Sequence, residues 1–363
     1  MRQALLSRAH CGNRDFAARA TKLMKKKYGF GEVFLTPSCT LAMEMGVMLA
    51  GIGPGDEVIL PSYTFSSTAN AVVRQGARPV FCEIDPRTMN INVNRIEELI
   101  NKNTKMIIPI DYAGIPCEVD KINKIAKKYN LAVMVDAAQS FHSFFNKKSA
   151  GAIPDMAAFS FHETKNVSCG EGGALVVNRK EWVDRAYLLQ EKGTDRKLVL
   201  DGVKSKYHWV DIGSSFLLSD ILAAMLLAQI EKVEEIVRLR SRVSEAYHKL
   251  LTPYEKAGHL RIPHPPKQVS VNHHGFFVIF DSQKNRQLFL KSLKKKDIHP
   301  YIGYVPLHSA PMGRKYGYKG SDLPLTEEIG STIVRLPFYT ELSEDGLDYC
   351  IEEMNKVLSS IYG

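Results

Sequence analysis

Lys165 stands in FSFHETKNVSCGEGGALVV, residues 159–177, between an aromatic-rich apolar run and a group of glycines. A lysine in such surroundings snorkels to water, pairs with a carboxylate, or uses its amine for chemistry. Three other stretches bear on the choice. LTPSCTLAMEMG places Ser38, Cys39 and Thr40 where a strand gives way to a helix. Free backbone N–H groups and the helix dipole make such a terminus an anion site. VDAAQS puts Asp136 at the end of an apolar strand with Gln139 three residues on, and Ser160 precedes Lys165 by five residues. Taken singly, Ser38 is an ordinary helix cap and Asp136 a cap or ion pair. Taken together, a lysine, a buried carboxylate and a phosphate cradle are what pyridoxal phosphate requires. Its aldehyde forms a Schiff base with a lysine, its ring nitrogen is kept protonated by a carboxylate, and its phosphate needs donors.

These residues need a scaffold, and the sequence supplies one. Between residue 33 and about 180, short β-branched runs alternate with helical stretches: EVFL, DEVIL, RPVFCEI, KMIIPI, LAVMVD, AAFSF and ALVV are the strands. That alternation predicts a mainly parallel central sheet with helices on both faces, an α/β architecture. Ligands in such sheets bind beyond the carboxyl ends of the strands, where Pro61 to Phe65, Asp111 and Asp136 fall. Residues 214 to 251 read as one continuous helical pattern with Leu217, Ile221, Met225 and Ala228 on one face, a helix joining two domains. FFVIF (276–280) is a strand, RQLFLKSLKKKD a helix, and EDGLDYCIEEMNKVLSSIY a terminal helix. The expected division is a large domain over 1–235 and a smaller C-terminal α+β domain over 236–363.

Composition narrows the function classes. At 363 residues, 45% hydrophobic and 24% charged, the chain is an ordinary globular sequence with a large core. The formal charge of +9 is concentrated in runs such as Lys25-Lys26-Lys27 and Lys294-Lys295-Lys296. With no aromatic interleaving, these read as solvated helix faces rather than a nucleic-acid surface, though the field suits a small anionic substrate. The six cysteines are scattered without a CxxC pair, no secretory segment or membrane span is evident, and a cytoplasmic setting is expected. No metal site is expected.

The motifs together resemble the DegT/DnrJ/EryC/StrS family of sugar-nucleotide aminotransferases. The resemblance is carried by TPSCT (36–40), PGDEVILPSYTF (54–65), VDAAQS (135–140), SFHETKN (160–166), GEGGA (170–174), DIGSSFLLSDILAA (211–224), YVPLHSAP (304–311) and RLPFYTELS (335–343). It implies the fold type I, aspartate aminotransferase-like architecture and a homodimer with shared active sites. It also implies that Lys165 carries the cofactor and shuttles protons, Asp136 pairs with the ring nitrogen, Gln139 bonds the ring hydroxyl and Phe65 stacks on the ring. The amides of Cys39 and Thr40, with Ser160, would hold the phosphate, and Ser215 would reach it from the partner subunit. Tyr304 and His308 would face the sugar nucleotide, His308 being equally readable as a structural histidine. SFHETKN with PSYTF and DIGSS resembles the members that pass an amino group from L-glutamate to the 4-keto group of dTDP-4-dehydro-6-deoxy-D-glucose. A 3-keto or a UDP- or GDP-linked sugar, or a cofactor-binding relic, are the alternatives; a dehydratase on the same scaffold is disfavoured because those relatives replace the lysine. Two departures carry consequences. The loop HCGNRDF lies close to residue 1, which bears on substrate affinity, and Asp111 occupies a position commonly held by His, adding negative charge near the cofactor.

Overall fold

The computed structural model describes residues 1–363. The apolar runs of the first half assemble into one seven-stranded sheet, ordered Glu32–Thr36, Gly173–Val177, Met156–Ser160, Ala132–Asp136, Thr104–Ile107, Glu57–Pro61 and Arg78–Cys82. Gly173–Val177 runs antiparallel to both of its neighbours, and the remaining pairs are parallel. Helices cover both faces, so the central strands are apolar throughout and alternate side chains feed two separate cores. Val133 and Val135 enter one core with Ile59, Ala157 and Phe159; Met134 enters the other with Val58, Leu60 and Leu175.

Thr36, Pro61, Asp136 and Ser160 are the last residues of their parallel strands, and Gly173 is the first of the antiparallel one. All five ends therefore share one edge of the sheet. Register places Gly173 directly opposite both Thr36 and Ser160. The edge where ligands were expected is thus built from the motif residues themselves.

The C-terminal part forms a smaller antiparallel sheet of Leu260–Arg261, Phe277–Phe280 and Ile333–Arg335. One face is covered by the helices Val233–Lys256, Gln283–Lys294 and Glu344–Tyr362, whose Tyr247, Leu251, Phe289, Leu293, Met354 and Leu358 share a core with Val278 and Val334. Its other face turns to the large sheet: Phe277, Ile279 and Ile333 pack with Tyr63, Ile110 and Tyr112. Residue 235, the expected boundary, lies in the first turn of Val233–Lys256.

The continuous helix expected over 214–251 is two helices, Asp220–Ile230 and Val233–Lys256. The reason for the late start is local: Ser219 is an N-cap, its hydroxyl accepting the Leu222 N–H at 3.4 Å, so Leu217 lies outside the helix. Asp220 turns back as well. Its carboxylate accepts the N–H groups of Phe16 and Ala17 and so satisfies the start of the helix Asp15–Tyr28. A further small sheet pairs Val269–Ser270 with Phe144–Phe145, which pairs in turn with Lys148–Ser149. Two-residue strands carry no periodicity, and the sequence pattern did not indicate them.

Candidate active site

A cleft of about 1410 Å³ opens over the shared sheet edge. Its lining includes Cys39, Thr40, Phe65, Asp136, Gln139, Ser160, Lys165 and Tyr304, eight of the ten residues expected from the sequence. Cys39, Phe65, Asp136 and Lys165 meet there because the parallel strands that precede them end at one edge, and Tyr304 reaches it from the C-terminal part, its N–H donating to the Tyr63 hydroxyl at 3.1 Å.

The first wall is the N-terminus of the helix Cys39–Leu49. Ser38 caps it, its Oγ accepting the Leu41 N–H at 3.2 Å, which leaves the N–H groups of Cys39 and Thr40 directed past the helix end. The helix terminus sits tight against the sheet because residue 173 is glycine. A Cβ there would stand 2.4 Å from the Ser38 carbonyl carbon and 2.5 Å from the Cys39 nitrogen. Ser160, opposite Gly173, is buried beside this terminus, and its Oγ makes one long contact, 3.4 Å from the His162 N–H.

The floor is Asp136. Thr68 donates its hydroxyl to Asp136 Oδ2 at 2.7 Å, and the Ala138 N–H donates to Oδ1 at 3.2 Å. Thr64 holds Thr68 in turn at 2.8 Å. Burial raises the carboxyl pKa, while these donors and the charge of Lys165 pull it back toward ionisation. Lys165 experiences the reverse: burial lowers its pKa below the ordinary lysine value, opposed by Cys39 and Asp136. A lysine so placed holds a larger neutral fraction, the form that attacks a carbonyl. The next residue fixes its loop. Asn166 donates to the Asn272 carbonyl at 2.7 Å, and its Oδ1 meets His274 Nδ1 at 3.0 Å.

Gln139 bridges remote segments of the chain: its Oε1 accepts the Ala113 N–H at 2.8 Å and its Nε2 donates to the Tyr304 hydroxyl at 3.1 Å. Phe65 is 57% exposed at the mouth, its ring 6.0 Å from that of Tyr304, so it is not part of a core. Asp111 also lines the cleft, but its carboxylate is engaged by Ser140 Oγ at 2.6 Å and the Cys117 N–H at 2.8 Å. Burial pushes its pKa up to about 6 despite those bonds, with Asp136 adding to the rise.

Two expected residues are not brought to this cleft. His308 is fully buried and outside the lining; its Nδ1 lies 2.6 Å from Ser62 Oγ and its Nε2 3.4 Å from Glu327. Its hydrogen bonds tie the loop after Tyr304 to the large sheet, the structural alternative. Ser215 is exposed and outside this chain's own lining. Conversely, the sequence reading did not single out Thr68, Asn166, His274 or Arg335. Asn166 and Arg335 lay inside quoted motifs, SFHETKN and RLPFYTELS, but their partners come from remote segments.

This donor set fits pyridoxal phosphate: a buried, hydrogen-bonded carboxylate, a lysine free of any ion pair, a capped helix terminus with a close-packed glycine behind it, and an exposed aromatic ring above. Comparison with known proteins agrees. The model of the DegT/DnrJ/EryC1/StrS aminotransferase family matches residues 12–355. The chain is 31% identical over 326 residues to the GDP-perosamine synthase of Caulobacter vibrioides, covering 88% of this chain and 84% of that protein. Among solved structures, the aminotransferase TlmJ from Streptoalloteichus hindustanus superposes with a TM-score of 0.90 at 26% identity, covering 100% of this chain and 95% of the other. NtdA from Bacillus subtilis, solved with bound pyridoxamine phosphate, superposes with a TM-score of 0.88 at 25% identity, covering 98% and 80%.

Proposed function

The chain belongs to the DegT/DnrJ/EryC1/StrS aminotransferase family, a family of pyridoxal-phosphate-dependent sugar aminotransferases, and on that premise we propose its particular reaction. It passes the amino group of L-glutamate to the 4-keto group of dTDP-4-dehydro-6-deoxy-D-glucose, giving dTDP-4-amino-4,6-dideoxygalactose and 2-oxoglutarate. The observation that carries the reading is a lysine amine without an ion-pair partner, between a buried carboxylate and a capped helix terminus in one large cleft. The sugar assignment is supported by SFHETKN, PSYTF and DIGSS and by a cleft larger than a cofactor alone requires.

Bound in this cleft, pyridoxal phosphate supplies a carbonyl that accepts the donor's amine and a ring that takes up the electron pair left when a proton departs. The chain's own residues do the rest. Asp136, oriented by Thr68 and Ala138, holds the proton on the ring nitrogen. The amides of Cys39 and Thr40 and the hydroxyl of Ser160 hold the phosphate. Phe65 covers the ring and restricts water. Lys165 would take the proton from the donor's α-carbon and return one in the sugar half of the cycle.

The test is an absorbance record of the loaded protein. L-glutamate should bleach its visible band and dTDP-4-dehydro-6-deoxy-D-glucose should restore it. Lys165→Ala should lack the band and lose at least ~10³-fold in turnover. Glutamate bleaching without restoration by that sugar would refute the substrate. The 31% identity to a GDP-perosamine synthase favours a GDP-linked keto sugar as the second reading, and restoration by that compound alone would establish it.

A further inference from the structure

The strands that carry Asp136 and Ser160 are neighbours, and the pairing between them stops at Asp136 opposite Ala158. Gln139 lies three residues beyond one strand and Lys165 five beyond the other, where that ladder no longer sets their spacing. Proton transfer at a planar ring nevertheless needs Lys165, Asp136 and Gln139 at fixed places around it. One residue from a remote segment spans the gap. Asn272 is 1% exposed, and its Nδ2 donates to the Gln139 carbonyl and to the Phe141 carbonyl, each at 2.8 Å. Its N–H donates to Ser143 Oγ at 3.1 Å, and that hydroxyl donates to the Gly114 carbonyl at 2.7 Å. Its own carbonyl accepts Asn166 Nδ2 at 2.7 Å, one residue past Lys165. The turn after Asp136 and the loop of Lys165 are thus both fastened to Asn272.

Asn272 is itself held from both sides. Two residues before it, Ser270 pairs antiparallel with Phe144, which lays the segment along the turn that it grips. After it, the carbonyls of His273 and His274 accept the buried guanidinium of Arg240 at 2.8 and 2.6 Å, from the helix Val233–Lys256. The side-chain amide has one workable orientation, because the reverse would aim an oxygen at two carbonyls. In that orientation Oδ1 has no partner, and a Cβ on residue 114 would stand 2.0 Å from it, so glycine at 114 is what leaves it room. A buried acceptor without a donor opposes folding, and the donors on Nδ2 offset it by satisfying two main-chain carbonyls.

We propose that Asn272 is a positioning residue for proton transfer, a bridge that keeps the Lys165 amine at a set distance from the ring site of Asp136 and Gln139. This rests on the aminotransferase reading but not on which sugar is the acceptor. Asn272 acts through two arms: its Nδ2 holds the turn that bears Gln139, and its carbonyl holds Asn166 beside Lys165. Transfer of a proton is steep in the distance between the groups, whereas the affinity of the cleft for an amino acid is not. Slack in either arm therefore slows the transfer and spares binding.

The test cuts each arm separately. Asn272→Ser loses the grip on two carbonyls, and Asn166→Ala releases the Lys165 side alone. In the protein without cofactor, amide hydrogen exchange should quicken by ~10-fold or more over 137–143 in the first variant and over 162–168 in the second. In the loaded protein, a single turnover with L-glutamate should bleach the visible band ~30-fold or more slowly in either variant. The isotope effect with α-deuterated glutamate should rise above that of the wild type. The dissociation constant of 2-methylglutamate, which has no α-proton to lose, should move by no more than ~3-fold, and the double variant should be within ~3-fold of the slower single one, since both cuts break one bridge. Faster exchange with unchanged bleaching would overturn the proposal and leave Asn272 a structural residue. So would an affinity loss that matches the rate loss, or rate losses that multiply in the double variant. Should Asn272→Ser fail to fold, the isotope effect and exchange of Asn166→Ala decide alone. A wild type that glutamate never bleaches would sink the aminotransferase reading and the proton-transfer role with it, while exchange would still show whether Asn272 joins the two loops.

Discussion

At the scale of single residues, the cleft holds two buried carboxylates, each with a raised pKa and each with both oxygens hydrogen-bonded. They differ in the charge they meet: Lys165 draws Asp136 back toward ionisation, whereas Asp111 is held only by the neutral donors Ser140 and the Cys117 N–H. The pKa of Asp111 is raised to about 6, above its value in an unfolded chain, so the folded state binds the extra proton. Its contribution to stability is therefore full below the unfolded value of about 4 and is lost as pH rises toward 6. Asp111→Asn should keep the acceptor for Cys117 and remove this titration. Melting temperatures between about pH 4 and 6 should then fall less with rising pH in the variant than in the wild type; parallel curves would contradict the burial argument. Asp111 was noticed in the sequence as a departure from a family pattern, but whether its charge faced the cofactor depended on Ser140 and Cys117, whose approach no spacing rule supplies.

At the scale of elements, the phosphate cradle is a contact between a helix end and a strand start. Ser38 and the apolar helix after it were legible as a cap and a helix, and GEGGA stood out as a motif. What Gly173 approaches became visible only in the sheet register, where it lies opposite Thr36 and Ser160 with Ser38 and Cys39 behind it. Gly173→Ala must push backbone aside rather than a flexible side chain. We expect a stability loss of about 1–3 kcal/mol in thermal or urea unfolding. A larger proportional effect is expected on retention of the cofactor through dialysis, because the displaced atoms carry the Cys39 amide. Retention equal to wild type would show that the cradle tolerates the shift. The expected helix over 214–251 failed for a related reason: an apolar face with helical spacing does not reveal that Ser219 caps and Asp220 serves another helix.

At the scale of the molecule, the segment leading to Ser215 carries several exposed apolar side chains. Leu200, Val203, Tyr207, Trp209, Val210 and Ile212 are all exposed, Trp209 at 80%, on the segment that leads to Ser215, and no helix of the protein is long and apolar enough to cross a membrane. Exposed apolar side chains gathered on one segment mark a candidate protein–protein contact. The expectation that Ser215 completes the phosphate site of a second copy gives it a partner. Sedimentation should find a dimer, and Trp209→Glu should raise its dissociation constant by ~10-fold or more and weaken cofactor retention with it. A monomeric wild type that retains the cofactor would refute the shared site. The chemistry of this protein was fixed by local sequence: a lysine, an aspartate at a strand end and a capped helix start are specified by residue type and short-range pattern, and the alternation of strands and helices brings strand ends to one edge. Tertiary structure alone decided which distant side chains complete them. Thr68 beneath Asp136, Asn272 and His274 around Asn166, and Arg335 at the end of a strand of the smaller antiparallel sheet all act across long sequence separations. Packing, rather than propensity, sets those distances, and it likewise withdrew His308 into the interior.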